Sequence, residues 1–149
     1  MACAGSPAAS ATPTPKPAGG GVTASQGVYP QDVTIAGFFS GHISSGYGAC
    51  VKTSEGFQGY VQDQKAGSPL RFDFKIDAVK YHGPGTYGPR EGNALLGTVY
   101  MAGQLTWSAE SGTFTVDPGE KGGSLRMHLT SGGGAGGSTE DLSGRWRCG

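Results

Sequence analysis

Leu70-Arg71-Phe72-Asp73-Phe74-Lys75-Ile76-Asp77-Ala78 decides the fold. Five apolar residues alternate here with four charged ones. A period of two puts the apolar residues on one face of a strand and the charges on the other. A solvated outer face belongs to an antiparallel sheet, because a sheet covered by helices on both sides reads as a continuous apolar run. Asp73 and Asp77 share the outer face with Arg71 and Lys75. Neighbours two apart on one face form surface ion pairs, and two acids so placed do not flank a cleft as a glycosidase pair does.

The same reading extends outward. Gly123 to Thr130 alternates in the same way, and Leu142, Trp146 and Cys148 fall on one face of a last strand. Thr113-Phe114-Thr115-Val116 is followed by Asp117-Pro118-Gly119, a turn in which Pro presets φ and Gly accepts a positive one. Leu105 to Ser108 is expected to pair with it as a hairpin across Glu110-Ser111-Gly112. Val99-Tyr100-Met101 is a further short strand. Upstream, Val33 to Ala36 and Phe38 to Ile43 read as one opening strand bulged near Gly37. Tyr47 to Val51 and Phe57 to Val61 make a hairpin across Ser54-Glu55-Gly56, and Ser131 to Thr139 is a Gly/Ser loop before the last strand. The expectation is an all-β fold: an antiparallel β-sandwich of about eight strands over residues 30–149. A lipocalin-like barrel is the alternative, although the Gly-x-Trp opening common in those proteins is not found.

Composition excludes several functions. Lys+Arg and Asp+Glu are 11 each, so no basic surplus is available for nucleic acid or for an anionic membrane surface. The 29 glycines do not recur every third residue, which rules out collagen, and they cluster between apolar runs where tight turns belong. No apolar run approaches the roughly 18 residues of a membrane-spanning helix. Residues 1–29 hold a run of Ala, Ser, Thr and Pro from Ala4 to Pro17, then Gly19-Gly20-Gly21. Such a segment buries too little apolar surface to offset its ordering entropy and is expected to be a disordered tether.

Ala2-Cys3 followed directly by that tether resembles the mature start of a bacterial surface lipoprotein, in which the Cys after a small-residue box receives the lipid. The wider pattern is similar to the same class: Tyr81-His82-Gly83-Pro84-Gly85-Thr86-Tyr87 near mid-chain, a Trp107 to Val116 segment, and the close Ser143-Gly144-Arg145-Trp146-Arg147-Cys148. The resemblance implies a small β-sandwich on a lipid-anchored tether and brings no active site with it. The apolar stretch of a signal peptide does not precede Cys3, so the expectation is a chain begun at an internal Met or in its mature form. With Cys3 lipidated, Cys50 and Cys148 remain as an even pair. They are too far apart in sequence for a local redox or zinc motif. One disulfide buried against Trp146 is expected, and two buried free thiols are the alternative.

Catalytic signatures are weak. His42, His82 and His128 share no metal-ligand spacing, and His128 falls on an outer face beside Arg126. No Gly-x-Ser-x-Gly elbow is present, and Asp117 and Glu120 do not match a calcium loop. No cofactor is called for. The candidate binding loop is Tyr81 to Arg90, with Tyr81, His82, Tyr87 and Arg90 among glycines and prolines. Loops at the end of a rigid sheet carry recognition residues, and Tyr and Arg dominate binding hot spots. The competing reading is a Tyr-anchored connection whose rings only cover the core edge. The sequence therefore points to an exported, lipid-anchored, monomeric surface module that binds an extracellular protein or small ligand. A hydrophobic-ligand carrier and an envelope hydrolase are the alternatives.

Overall fold

Leu70 to Ala78 does form the expected strand, and its neighbours curl one sheet around it. The computed structural model describes residues 26–89, 98–101, 105–131 and 137–149, and no helix occurs among them. The strands are β1 (Gly27–Gly37), β2 (Gly41–Thr53), β3 (Gly56–Asp63), β4 (Arg71–Asp77), β5 (Gly85–Tyr87), β6 (Thr98–Met101), β7 (Leu105–Val116), β8 (Gly122–Ser131) and β9 (Thr139–Arg147). Every pairing is antiparallel. Residues 1–25 of the tether, Cys3 among them, and Arg90 lie outside the described residues.

The all-β, antiparallel expectation holds, and the number of strands agrees with it. The refinement is in the layering. The strands belong to one sheet, curled so strongly that β8, at one end of the strand order, also pairs with β7 near the other. Eight strands thus run in a ring: β1-β2-β3-β4-β6-β7-β8-β9 and back to β1. The short β5 pairs beside the second half of β7. Inside-outside alternation is the same for two facing sheets and for one curled sheet, so period alone does not separate them. Curling hides the edges that a flat sheet would expose.

Three strand boundaries differ from expectation. The opening strand is two strands, because the chain reverses at Phe38 to Ser40 and pairs Ile35 with Gly41. Glu110-Ser111-Gly112 is not a hairpin turn. It is a β-bulge inside the continuous β7, where the register to β8 shifts between Ala109 and Ser111. Gly112 carries the required backbone at φ 114°. β1 begins at Gly27, three residues before the expected domain start. Its register to β2 shifts between Pro30 and Val33, at a residue with no N–H to donate to the ladder.

The core is one cluster inside the ring. Phe72, Phe74 and Ile76 of β4 point into it, as their alternation requires. Phe74 packs at ring-centroid distances of 4.9 Å from Phe114 and 4.8 Å from Trp146, and Trp146 stacks on Phe114 at 5.0 Å. Each such fully buried apolar side chain contributes on the order of 1.5–3 kcal/mol. The Cys50–Cys148 disulfide joins β2 to the residue after β9 across a Cα separation of 5.7 Å, and Cys148 is buried in the same cluster as Trp146.

Candidate functional site

The ring has two ends, and each gathers chemistry. One end carries the β2–β3 and β7–β8 turns, the loop before β5, and the disulfide. Here the structure assembles most of the expected binding loop. Tyr81 stacks on Phe57 at 5.1 Å and on Tyr87 at 5.8 Å, and His82 stacks on Tyr87 at 4.9 Å. The Tyr87 ring is fully buried. Its hydroxyl donates to the Gly83 carbonyl at 2.5 Å and accepts the His82 N–H at 3.2 Å. That is the geometry of an anchor: the phenol replaces main-chain partners that the loop lacks. His82 is exposed and Tyr81 half-buried.

Tyr81 also reaches a residue the sequence did not single out for binding. Its hydroxyl donates to Glu120 Oε1 at 2.5 Å, and Lys52 Nζ lies 3.8 Å from the same carboxylate and 5.3 Å from the Tyr81 ring centroid. Burial first, and the Glu120 carboxylate second, raise the Tyr81 hydroxyl above its ordinary pKa, so it remains a donor. Glu120 stands at φ 58° after the Asp117-Pro118-Gly119 turn, with its carbonyl 3.4 Å from Cys50 Sγ. The oxidised sulfur has no proton to donate, so this is a packing contact. The arrangement ties loop, turn and disulfide together and leaves little of it free.

The opposite end carries the Phe38–Ser40 turn, the β3–β4 loop and the start of β9. Its central group is Glu140. Glu140 is in phase with Leu142 and Trp146 along β9, and it is wholly buried. Oε1 accepts the Phe39 N–H at 2.6 Å, while Oε2 is buried with no hydrogen-bond partner. Burial raises the carboxyl pKa and the charge of Asp141 adds to the rise, while the Phe39 N–H opposes it. Gly37 faces this oxygen: a Cβ there would come within 2.7 Å of Oε2 and would also meet the Thr139 carbonyl. With φ 149°, Gly37 has the backbone and the bare Cα that leave room for the acid.

Aromatic rings cover the same end. Phe39 meets the buried Trp107 edge-on at 5.6 Å, and Phe38 lies 5.9 Å from Trp107 with more than half of its own surface exposed. Trp107 Nε1 donates to Ser138 Oγ at 3.0 Å. On β8, opposite Trp107 in register, Ser131 has a second buried oxygen without a partner. Phe39 also lines a groove of about 390 Å³ that runs to Ser68, Pro69 and Leu70 of the β3–β4 loop. No metal-binding cluster occurs among the described residues.

The outer wall holds a third arrangement. Ser111, His128 and Asp141 stand side by side on β7, β8 and β9, and all three line a groove of about 550 Å³. His128 Nδ1 and Asp141 Oδ1 are 2.7 Å apart, but no hydrogen bond joins Ser111 to His128, so the nucleophile–base contact of a triad is not formed. His128 is on the outer face as its alternation implies. His42 likewise pairs outside, with Asp32 at 2.9 Å.

Fold and ends together define a class in structural terms: a small antiparallel meander curled into a ring, with an apolar core inside it and a buried acid at one mouth. No protein-family model, curated protein or solved structure matches the chain.

Proposed function

We propose that this chain is an exported, non-catalytic binding module, carried on a bacterial cell surface by a lipid on Cys3 and the tether that follows. The observation that carries this reading is the Cys50–Cys148 bridge. A structural disulfide persists in oxidising compartments and is rare where glutathione keeps thiols reduced. With that pair bridged, Cys3 is the one thiol left for a lipid.

The ring also favours a small-ligand carrier, since eight-stranded barrels hold either packed side chains or one small ligand. Here Phe74, Phe114 and Trp146 fill the interior at the disulfide end. A ligand would therefore engage the mouth and not an extended internal cavity.

Intact mass of the protein from its native membrane fraction, measured with and without reduction before alkylation, tests the reading. A lipid mass on Cys3, with Cys50 and Cys148 protected until reduction, is the expected result. Three alkylatable thiols and no lipid would overturn it.

A further inference from the structure

We propose that the Glu140 mouth is a binding site for a small organic cation, a primary ammonium or guanidinium on a compact apolar body. This goes beyond the export reading and does not depend on it.

A buried polar atom left without a partner costs about 1–3 kcal/mol, and more when it is charged. Native structures keep few of them, and each asks for an explanation. Two lie at this end of the ring. Glu140 pairs with Leu129 of β8 in register, and Ser131 is the next inward position along β8. Glu140 Oε2, turned toward Gly37, and the Ser131 hydroxyl are thus two unpartnered groups at the same end of the ring.

No lysine, arginine or histidine among the described residues forms an ion pair with Glu140, and Asp141 next to it adds negative charge. A carboxylate oxygen accepts and cannot donate. Its complement is a donor that carries positive charge: an ammonium with three N–H groups, or a guanidinium with five. Phe39 bonds the acid through its main chain and packs its ring on Trp107; aromatic faces attract cations and edges pack an apolar body, which favours the same choice.

The turn over Glu140 is Gly37-Phe38-Phe39-Ser40-Gly41, with a glycine at each end. Beyond the strand ladders that end at Gly37 and Gly41, the Phe38 N–H to the Thr139 carbonyl at 3.2 Å and the Phe39 N–H to Glu140 hold it across the mouth. The groove that Phe39, Ser40 and Gly41 line with Ser68 and Leu70 borders the turn, and His42, Asp63 and Lys65 line it as well. Exposed Phe38 then supplies an apolar contact for the ligand body.

The test uses the full chain, with benzylamine and phenylguanidine as probes and benzyl alcohol and benzoate as controls of similar size. Amide shifts of Phe39 and Glu140 are followed by NMR, and Trp107 by fluorescence. Saturable shifts with the two cations, at least tenfold weaker with the alcohol and absent with benzoate, are expected. Glu140→Gln keeps the acceptor for Phe39 N–H and removes the charge, so it should weaken the cations at least tenfold. Ser131→Ala keeps the charge and should weaken them several-fold, which preserves the test if Glu140→Gln does not fold. Binding should strengthen with rising pH as Glu140 ionises. Equal binding of cation and alcohol, or no effect of either variant, would overturn the proposal. So would an absence of saturable shifts up to millimolar probe, which would assign the two oxygens to a buried water. None of these failures touches the export reading, which the mass measurement decides.

Discussion

Gln31 and Arg147 are joined by two hydrogen bonds that imitate a sheet. Gln31 Nε2 donates to the Arg147 carbonyl at 2.9 Å, and Gln31 Oε1 accepts the Arg147 N–H at 2.8 Å. The β1–β9 ladder starts at the Asp32–Arg145 pair. Beyond it, the buried Gln31 amide does the work of a missing backbone partner. Gln31→Leu keeps much of the volume and removes both bonds. The expected cost is about 1–3 kcal/mol, read from the urea midpoint, with faster hydrogen exchange at the Arg147 amide. An unchanged midpoint and exchange rate would show that water replaces the amide.

Reduction should be the most damaging single change. The bridge closes a loop with a sequence separation of 98. On the chain-entropy model such a loop stabilises by roughly 4–5 kcal/mol. Melting with and without reductant should show a large fall in Tm, and Cys50→Ser with Cys148→Ser should reproduce it. A fall within error would mean that the β1–β2 and β1–β9 ladders alone hold β2 against the C-terminal strand.

Glu140 should give the protein a stability that declines with pH. Its folded-state pKa is raised, chiefly by burial. The contribution is then fully present below the ordinary pKa of about 4.3 and is lost as pH rises through the folded value. The slope is at most about 1.4 kcal/mol per pH unit, for one proton. Urea unfolding from pH 4 to pH 8 should show this decline in the parent chain and not in Glu140→Gln, which should be the more stable of the two at neutral pH. Parallel curves would refute the assignment.

Tyr87 should matter to stability through two separable parts. Tyr87→Phe keeps the buried ring and loses the bonds to Gly83 and His82, for an expected cost of about 1–2 kcal/mol. Tyr87→Ala empties a core position and should cost roughly 3–5 kcal/mol, the range of other aromatic truncations. Chemical denaturation of both variants checks this. Because the ring is a core anchor, recognition at this end is better tested on the exposed His82, and His82→Ala should leave the denaturation midpoint nearly unchanged.

Part of the mouth was legible in the sequence. Leu142, Trp146 and Cys148 read as one inward face, and the same parity stepped back by two residues from Leu142 names Glu140. A charged residue at an inward position was the available signal, and only the solvated charges of the Leu70–Ala78 strand drew attention. The turn over the acid was not legible, because Phe38-Phe39 between apolar neighbours reads as strand and not as reversal. Nor was the β7 bulge, since Glu110-Ser111-Gly112 has turn chemistry that serves either purpose. Gln31 gave no sign of burial, because its partner is a main-chain group 116 residues away.

By itself the sequence determined the strand period, the inward faces and the turn at Asp117-Pro118-Gly119, and it left Cys50 and Cys148 as either one disulfide or two free thiols. These are local matters of side-chain alternation and backbone preference, or simple counts. Tertiary structure alone decided that the sheet closes from β8 to β7, that Ser131 and Glu140 share a mouth, and that Tyr81 reaches Glu120. Those outcomes depend on the accumulated twist and register of eight strands, a sum that no short stretch of residues contains.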